Sequence, residues 1–573
     1  MKHVFFFLSI LFSLTRTAIF AQCPSGNLTL TSQSGIKAFQ EKYPECNYIS
    51  GDLTISGSTI TDLSPLSKLE GCAGKLIIRS VNKLFSLSGL DNFQTVGGDL
   101  ILDDANSLKS LADLLRLRTV GGNLKIHSCD SLNKIGLLTE LKTVGGDIII
   151  DGNRDLTNLT GLESITTLGE FSSIHILKNP SLTSIGSLDS IQSVPGYFEI
   201  YNNRNLQKMD GFASLERIGL YFKVWENAAL TSMESLKSLK YINEYIIISY
   251  NKSLLSLKGL QNLVKVGKEI EIYENTKLRS LDFNELIGVN GHFLVYMNDS
   301  LQHIKGLNKL LYVEDYFTLK ALYSLKSLEG LEKLTFVGKD FRIEGNYRLN
   351  DVTALLRLKK VNGTLTVSNN AALQNTNGFD GLDSIGNSLH IMENEVLTDL
   401  RGFQSLKYVR GSLKIHDNPQ LVTLTGLENI NYQMLLNLDF LKNPLLSICN
   451  VKSVCDFLDN NGSHKFAFNA TGCNTNTEIM EACKAINIGQ EDADFLIKNT
   501  RLFPNPAQNH LTLQSNFTTA AYIVNVKNAL GQTVISKKIL ASDQLNISHL
   551  QPGIYFVELN DGTKAQRLRL VKQ

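Results

Sequence analysis

The chain has 573 residues, 43% of them hydrophobic, 8% aromatic and 19% charged, and Lys+Arg 56 nearly cancels Asp+Glu 55. A formal net charge of +1 excludes a nucleic-acid binder, which needs a basic excess, and this apolar content excludes a disordered chain. The length calls for several domains or a repeat array, and Gly 42 against Pro 10 points to many uninterrupted strands joined by regular turns.

Residues 1–21 read as a secretory signal peptide. Lys2 and His3 precede the apolar run Val4 to Leu14, and Ala21 offers a small residue for cleavage before Gln22. That run is too short, with Arg16 too close behind it, for a membrane span, and no later segment approaches the length of one. Gln22 precedes Cys23, where lipoprotein signals carry a small residue, so export without a lipid anchor is expected. Export makes cysteines disulfide material. Cys23 and Cys46 bracket the first mature stretch, and Cys449, Cys455, Cys473 and Cys483 cluster near the other end, where three pairings are open.

From residue 51 to 447 the sequence repeats. VGGDLILDDANSLKSL from Val96, VGGDIIIDGNRDLTNL from Val144 and VRGSLKIHDNPQLVTL from Val409 are one unit of about 24 residues. The first core residues of its strands number the turns one to seventeen: Leu53, Leu76, Leu100, Leu124, Ile148, Ile174, Phe198, Phe222, Ile246, Ile270, Phe293, Phe317, Phe341, Leu365, Leu389, Leu413 and Leu438. L-x-I alternation predicts a short strand with two residues inward, and leucines at three-residue spacing predict a second inward side rather than a long helix. Gly-Gly before the strand allows a tight corner. Such units bury their apolar sides only by stacking, which at about 4.8 Å per turn predicts an array on the order of 80 Å long.

An Asn follows twelve of these strands: Asn153, Asn179, Asn203, Asn227, Asn251, Asn275, Asn298, Asn346, Asn370, Asn394, Asn418 and Asn443. A polar binding strip is one reading. A stacked amide ladder that satisfies buried backbone groups is the stronger one. Cys129 falls in this column and Cys72 in the inward column of Val96, Val120 and Val144, so both are expected as free, buried thiols.

The L-x-I-x-x-N-x-x-L unit resembles leucine-rich repeats, and more closely the receptor L-domain type of solenoid. The resemblance covers about residues 23–447, beginning with CPSGNLTLTSQSGIKAFQEKYPEC and GDLTISGSTITDLSPL. It implies a mainly β, parallel solenoid with disulfide caps: residues 22–50, closed by Cys23–Cys46, and residues 448–486, with two short helices. A polar linker, 487–500, follows. Residues 501–573 have short alternating strands that read as a small immunoglobulin-like β-sandwich. FPNPA (503–507), NALGQTV (528–534) and LQPGIYFVEL (550–559) resemble the type IX secretion C-terminal sorting domain of Bacteroidetes. Pro504, Asn505, Pro506, Gly531, Gln532, Gly553 and Tyr555 carry that likeness. It implies the type IX machinery as a partner and a product released or held at the cell surface after the sorting domain is removed.

No G-x-S-x-G, H-E-x-x-H, P-loop or zinc-spaced cysteine–histidine pattern occurs, so no enzyme, cofactor or metal is expected. His127, His175, His292, His390 and His416 are expected as solvated surface residues. A calcium site at Asp99, Asp103, Asp147 and Asp151 competes with a solvated mixed-charge face near Lys125 and His127, and the latter is favoured.

The outward columns are more informative. On turns seven to twelve the first carries Tyr197, Tyr221, Tyr245, Glu269, His292 and Tyr316, and the third carries Tyr201, Trp225, Ser249, Tyr273, Tyr296 and Lys320. Turns one to six and thirteen to seventeen have no aromatic residue in either column. Eight aromatics, including the only Trp, therefore share a patch of roughly 30 Å. Cross-strand packing is one explanation; anchors for a protein or glycan, with Glu199, Lys223 and Glu271 between them, is the other. The resulting expectation is an exported binding or adhesion protein, and the alternative a passive stalk or surface-layer spacer.

Overall fold

The computed structural model describes residues 23–484, 500–515, 521–528, 531–540, 544–560 and 565–573. The expected signal peptide, Gln22, residues 485–499 and Ala529–Leu530 of the NALGQTV stretch lie outside the described residues.

The L-x-I pairs form four-residue strands such as Leu100–Asp103, Leu124–His127 and Ile148–Asp151, with both apolar side chains buried and the alternate ones half-exposed. Each strand pairs in parallel with the next turn without a register shift, Leu100 with Leu124 and Leu124 with Ile148. The result is a 19-stranded sheet. Seventeen strands are the expected turns. The other two, Leu28–Leu30 and His464–Ala467, come from segments read as caps and extend the sheet by one strand at each end.

Two-residue strands such as Thr95–Val96 make a second, parallel side of the coil. That side is split into a six-stranded and a ten-stranded sheet, between Thr167–Leu168 and Ser193–Val194. The split falls where turn six is longer, Asn153 to Asn179 spanning 26 residues instead of 24. The third side carries leucines such as Leu108, Leu111, Leu114 and Leu117, all buried, in turns and short 3-10 segments. The core is thus one continuous apolar column inside the coil.

Glycine at the corner has a different cause from the expected one. Gly97, Gly121 and Gly145 are not in the left-handed region. A Cβ on each would lie 2.1 Å from a carbonyl oxygen of the preceding turn, so close stacking of backbone on backbone excludes any side chain. The left-handed residue is the one after the strand, as at Asp104 (φ 54°), Asn202 (φ 52°) and Glu393 (φ 57°).

The asparagine column is a ladder. Asn227 Oδ1 accepts the Asn203 backbone N–H at 3.0 Å, and Asn227 Nδ2 donates to the Ile200 and Trp225 carbonyls at 3.0 Å. All twelve asparagines are fully buried, and Asn469 adds a further rung beyond Asn443. Leu322 interrupts the column on turn twelve, and its N–H donates to Asn346 at 3.0 Å. Cys129 stands at the ladder's head, its N–H on Asn153 Oδ1 at 3.0 Å. Cys72 and Cys129 are free and buried, and burial pushes both thiols up to about 12.

Disulfides join Cys23 to Cys46, Cys449 to Cys473 and Cys455 to Cys483. The first end is covered by the helix Gln33–Lys42, capped by Ser32 and burying Ile36 and Phe39. At the other end the helix Lys452–Asp459 buries Val454, Cys455, Phe457 and Leu458, and a second helical stretch covers 476–484.

The described residues from 500 onward form a three-stranded antiparallel sheet (Thr500–Phe503, His510–Ser515, Gln544–Asn546) and a four-stranded one (Ala521–Lys527, Thr533–Leu540, Gly553–Asn560, Ala565–Lys572). Their shared core includes Leu511, Val524, Val526, Leu545, Ile547 and Val557. No helix among the described residues is long and apolar enough to cross a membrane.

Candidate functional site

Outside the aromatic patch, the first outward column has a structural task. Asp52 Oδ1 accepts the Lys75 N–H at 2.7 Å, Asp99 the Asn123 N–H at 2.8 Å, Asn123 the Asp147 N–H at 2.6 Å, and Asp147 the Ser173 N–H at 2.7 Å. Ser173, Asp340 and Ser388 do the same for Tyr197, Thr364 and Ser412, at 3.0, 2.8 and 3.0 Å. A short polar side chain here splices one turn to the next. Asp99 and Asp147 are therefore rungs of a second ladder, not members of a solvated face. Among the described residues no group of three or more His, Cys, Asp or Glu is placed to hold a metal ion.

On turns seven to twelve this ladder stops. No side chain among the described residues accepts the backbone N–H of Tyr221, Tyr245, Glu269, His292 or Tyr316. Each missing bond forgoes about 1 kcal/mol. Four of the six residues in this stretch of the column are tyrosines, and they stand where seven other turns carry the polar rung.

In its place are ring stacks. Tyr197 lies on Tyr221 with centroids 4.3 Å apart, Tyr221 on Tyr245 at 4.8 Å, and Tyr201 on Trp225 at 3.8 Å and 17°. Parallel strands in register bring these rings to van der Waals distance, so their faces turn to one another and their edges and hydroxyls to solvent. Tyr197 and Tyr316 are exposed; the other six are half-buried. Tyr273 and Tyr296 are register neighbours. Tyr316 stands apart from the other seven, under the Lys339 ammonium at 4.9 Å.

The middle column fixes the rings. Trp225 Nε1 donates to Glu199 Oε1 at 3.2 Å, and Glu199 Oε2 lies 3.3 Å from His175 Nδ1. The His175 bond, then the Trp225 bond and the Lys223 charge, hold the Glu199 carboxyl below the usual carboxylate range against the effect of burial. Lys223 Nζ sits 4.2 Å from the Trp225 ring centre. Burial, with Glu199 and the flanking tyrosines, pushes Tyr221 up to about 12.

The histidines are not solvated as expected. His175 is 18% exposed beside Glu199, His292 Nε2 lies 2.8 Å from Glu271, and His127 lies between Asp103 at 2.8 Å and Asp151 at 3.6 Å. His390 is pushed down to about 4 by burial and then by Lys414 and His416. Register explains the pairing, because a carboxylate one turn away stands directly beside an imidazole.

Two residues near this face escape the column analysis. Phe171, in the two-residue insertion of turn six, is 83% exposed, and its carbonyl lies 2.8 Å from where a Cβ on Gly196 would sit, next to Tyr197. The insertion length was the available signal. Tyr250, at a left-handed corner, packs edge-on against Tyr273 at 5.5 Å and 87°. Its position after the strand hid it, since corner residues alternate with neither face.

In the C-terminal domain, the turn motif is tied to the last strand. Asn505 Nδ2 donates to the Arg569 carbonyl at 2.7 Å and Asn505 Oδ1 accepts the Val571 N–H at 2.8 Å. Pro504 and Pro506, exposed on either side, leave that amide as the anchor. The Gln532 N–H donates to Asn528 Oδ1 at 3.0 Å across the turn holding Gly531 (φ 81°). Tyr555 donates its hydroxyl to the Gln551 carbonyl at 3.0 Å, closing the loop that contains Gly553. Residues 501–573 match the secretion system C-terminal sorting domain. The chain is therefore a substrate of that export route, with a surface or secreted destination. No curated protein matches the chain.

Proposed function

We propose that this protein is a non-enzymatic, exported binding protein whose solenoid, read as a leucine-rich-repeat-like array of the receptor L-domain kind, displays a docking face on turns seven to twelve. The supporting observation is the break in the polar ladder: where Asp, Asn and Ser elsewhere splice the turns, this stretch gives those bonds up for aromatic side chains. Among the described residues the rung is also missing at Lys75, Thr364 and Ser412, but there singly; only here are five N–H groups in a row, from Tyr221 to Tyr316, left without it, a run that a stalk has no reason to carry. A protein partner fits better than a glycan. Rings stacked at 4.3, 4.8 and 3.8 Å spend their faces on one another and offer edges and hydroxyls, whereas sugars pack on open faces.

The test is retention on immobilised cell-surface extract. Ser at Trp225, Tyr201 and Tyr221 together abolishes it, Lys125→Ser on turn four leaves it intact, and protease treatment of the extract removes it. Equal retention of the triple variant sinks the reading, and glycosidase-sensitive, protease-resistant retention reassigns the partner.

A further inference from the structure

The stacked rings are interrupted at one place. On turn nine the third column holds Ser249, in register with Trp225 on one side and Tyr273 on the other. With strands about 4.8 Å apart, those two rings stand about 10 Å from each other across a one-residue gap. Ser249 lies beneath this gap, fully buried, so neighbouring side chains close over it in this structure, and its Oγ has no hydrogen-bond partner among the described residues. Tyr250, 39% exposed, closes the end toward the strand corner by packing edge-on against Tyr273. The slot has aromatic walls on three sides.

Its charge is one-sided. Glu226 and Glu274 take the corner positions on either side of Tyr250, and neither is in an ion pair among the described residues. Glu199 and Glu271 lie close by in the middle column, already engaged by His175 with Trp225 and by His292. Against these stands Lys223. Because Tyr201 stacks on one face of Trp225 at 3.8 Å, the Lys223 ammonium, 4.2 Å from the ring centre, covers the other face, the one that lines the slot. The chain itself thus places a cation there.

We infer that the slot over Ser249 receives an arginine side chain of the protein partner, which displaces Lys223 and pairs with Glu226 and Glu274. This rests on the reading of the aromatic face as a docking surface. A guanidinium midway between the rings lies about 5 Å from each, within the roughly 6 Å reach of cation–π attraction. Its planar fork gives Ser249 Oγ the donor it lacks and meets the carboxylates in hydrogen-bonding geometry. A neutral sugar leaves both carboxylates unpaired.

Trp225 is the chain's one tryptophan, so its fluorescence reports on the slot directly. The full chain is titrated with an arginine tetrapeptide amide, its neutral citrulline counterpart and an N-acetylglucosamine tetramer. The arginine peptide gives a saturable change, about tenfold tighter than the citrulline peptide. The change weakens about tenfold in Glu226→Gln/Glu274→Gln and tightens in Lys223→Ala. Neither glutamate holds an ion pair among the described residues, so the Gln variants keep the fold, checked by an unchanged melting curve. Equal response to citrulline, a response to the sugar alone, or an arginine response indifferent to the Gln pair overturns the inference. If surface retention depends on Tyr221 and Tyr245 but not on the Gln pair, the slot assignment fails while the docking face stands. If retention ignores the tyrosines, the docking face itself has failed.

Discussion

His390 illustrates what burial does to one side chain on this sheet. Its folded-state pKa is pushed down to about 4, below the ordinary value of 6.5, by burial and then by Lys414 and His416. Above pH 6.5 the residue is neutral in both states and contributes nothing. Between 6.5 and 4 the unfolded chain takes the proton and the folded chain refuses it, so stability falls as the pH falls through that window. His390→Gln flattens the dependence in melting curves taken from pH 7 to pH 4, and an unchanged slope contradicts the assignment. His292 has the opposite sign. Its bond to Glu271 raises its pKa, so its contribution is complete below 6.5 and is lost as the pH rises through the raised value. The sequence placed both histidines on the sheet but neither His292 beside Glu271 nor His390 beside Lys414, because groups a full turn away become neighbours only once the register is known.

At the scale of one turn, the stability of the coil lies in what each unit hands to the next. Asn251 Oδ1 accepts the Asn227 N–H at 3.1 Å, and Asn251 Nδ2 donates to the Val224 and Ser249 carbonyls at 2.9 and 3.0 Å. Asn251→Ala leaves several buried groups unpaired and lowers stability by about 3 kcal/mol, read from denaturant midpoints. Asn251→Ser, which restores one acceptor, recovers part of that loss. The repeat, its inward residues and this ladder were legible, because a period of 24 repeats every local constraint and chance does not. The strands inside the caps were less so: LTL at residues 28–30 is only three residues long, and HKFA at 464–467 puts His464 in register with Leu438, where the other turns have an apolar residue. Asn469, the final ladder rung, was the clue to the second. Gly-Gly before a strand suggests a tight corner, whereas the carbonyl 2.1 Å from the absent Cβ of Gly121 belongs to another turn and has no trace in local sequence.

For the molecule as a whole, a one-dimensional array ties each turn only to its neighbours, so its ends must be closed and its export must be addressed. The disulfides lock the ends, across separations of 23, 24 and 28 residues, each contributing roughly 3 kcal/mol by restricting the unfolded chain. The address is the C-terminal domain, whose last strand, Ala565–Lys572, pairs with Gly553–Asn560 and receives the Asn505 amide. Deleting 565–573 removes that strand, and the truncated chain accumulates in the periplasm, measured by cell fractionation; normal export refutes the assignment. The aromatic patch was visible in the sequence as a composition anomaly, yet its meaning was not. That required seeing which hydrogen bonds the aromatics displaced, and Asp or Ser in the same column on other turns supplies the comparison.

That comparison permits a direct test of the central claim. Tyr221→Asn with Tyr245→Asn installs the polar rung that seven other turns use at this position, as Asn123 does on turn four. If the tyrosines serve docking, the double variant keeps or raises its melting temperature, by up to about 2 kcal/mol of stability, and loses retention on cell-surface extract. If they serve the fold, it melts lower while the retention of the folded fraction is unchanged, and the account is contradicted.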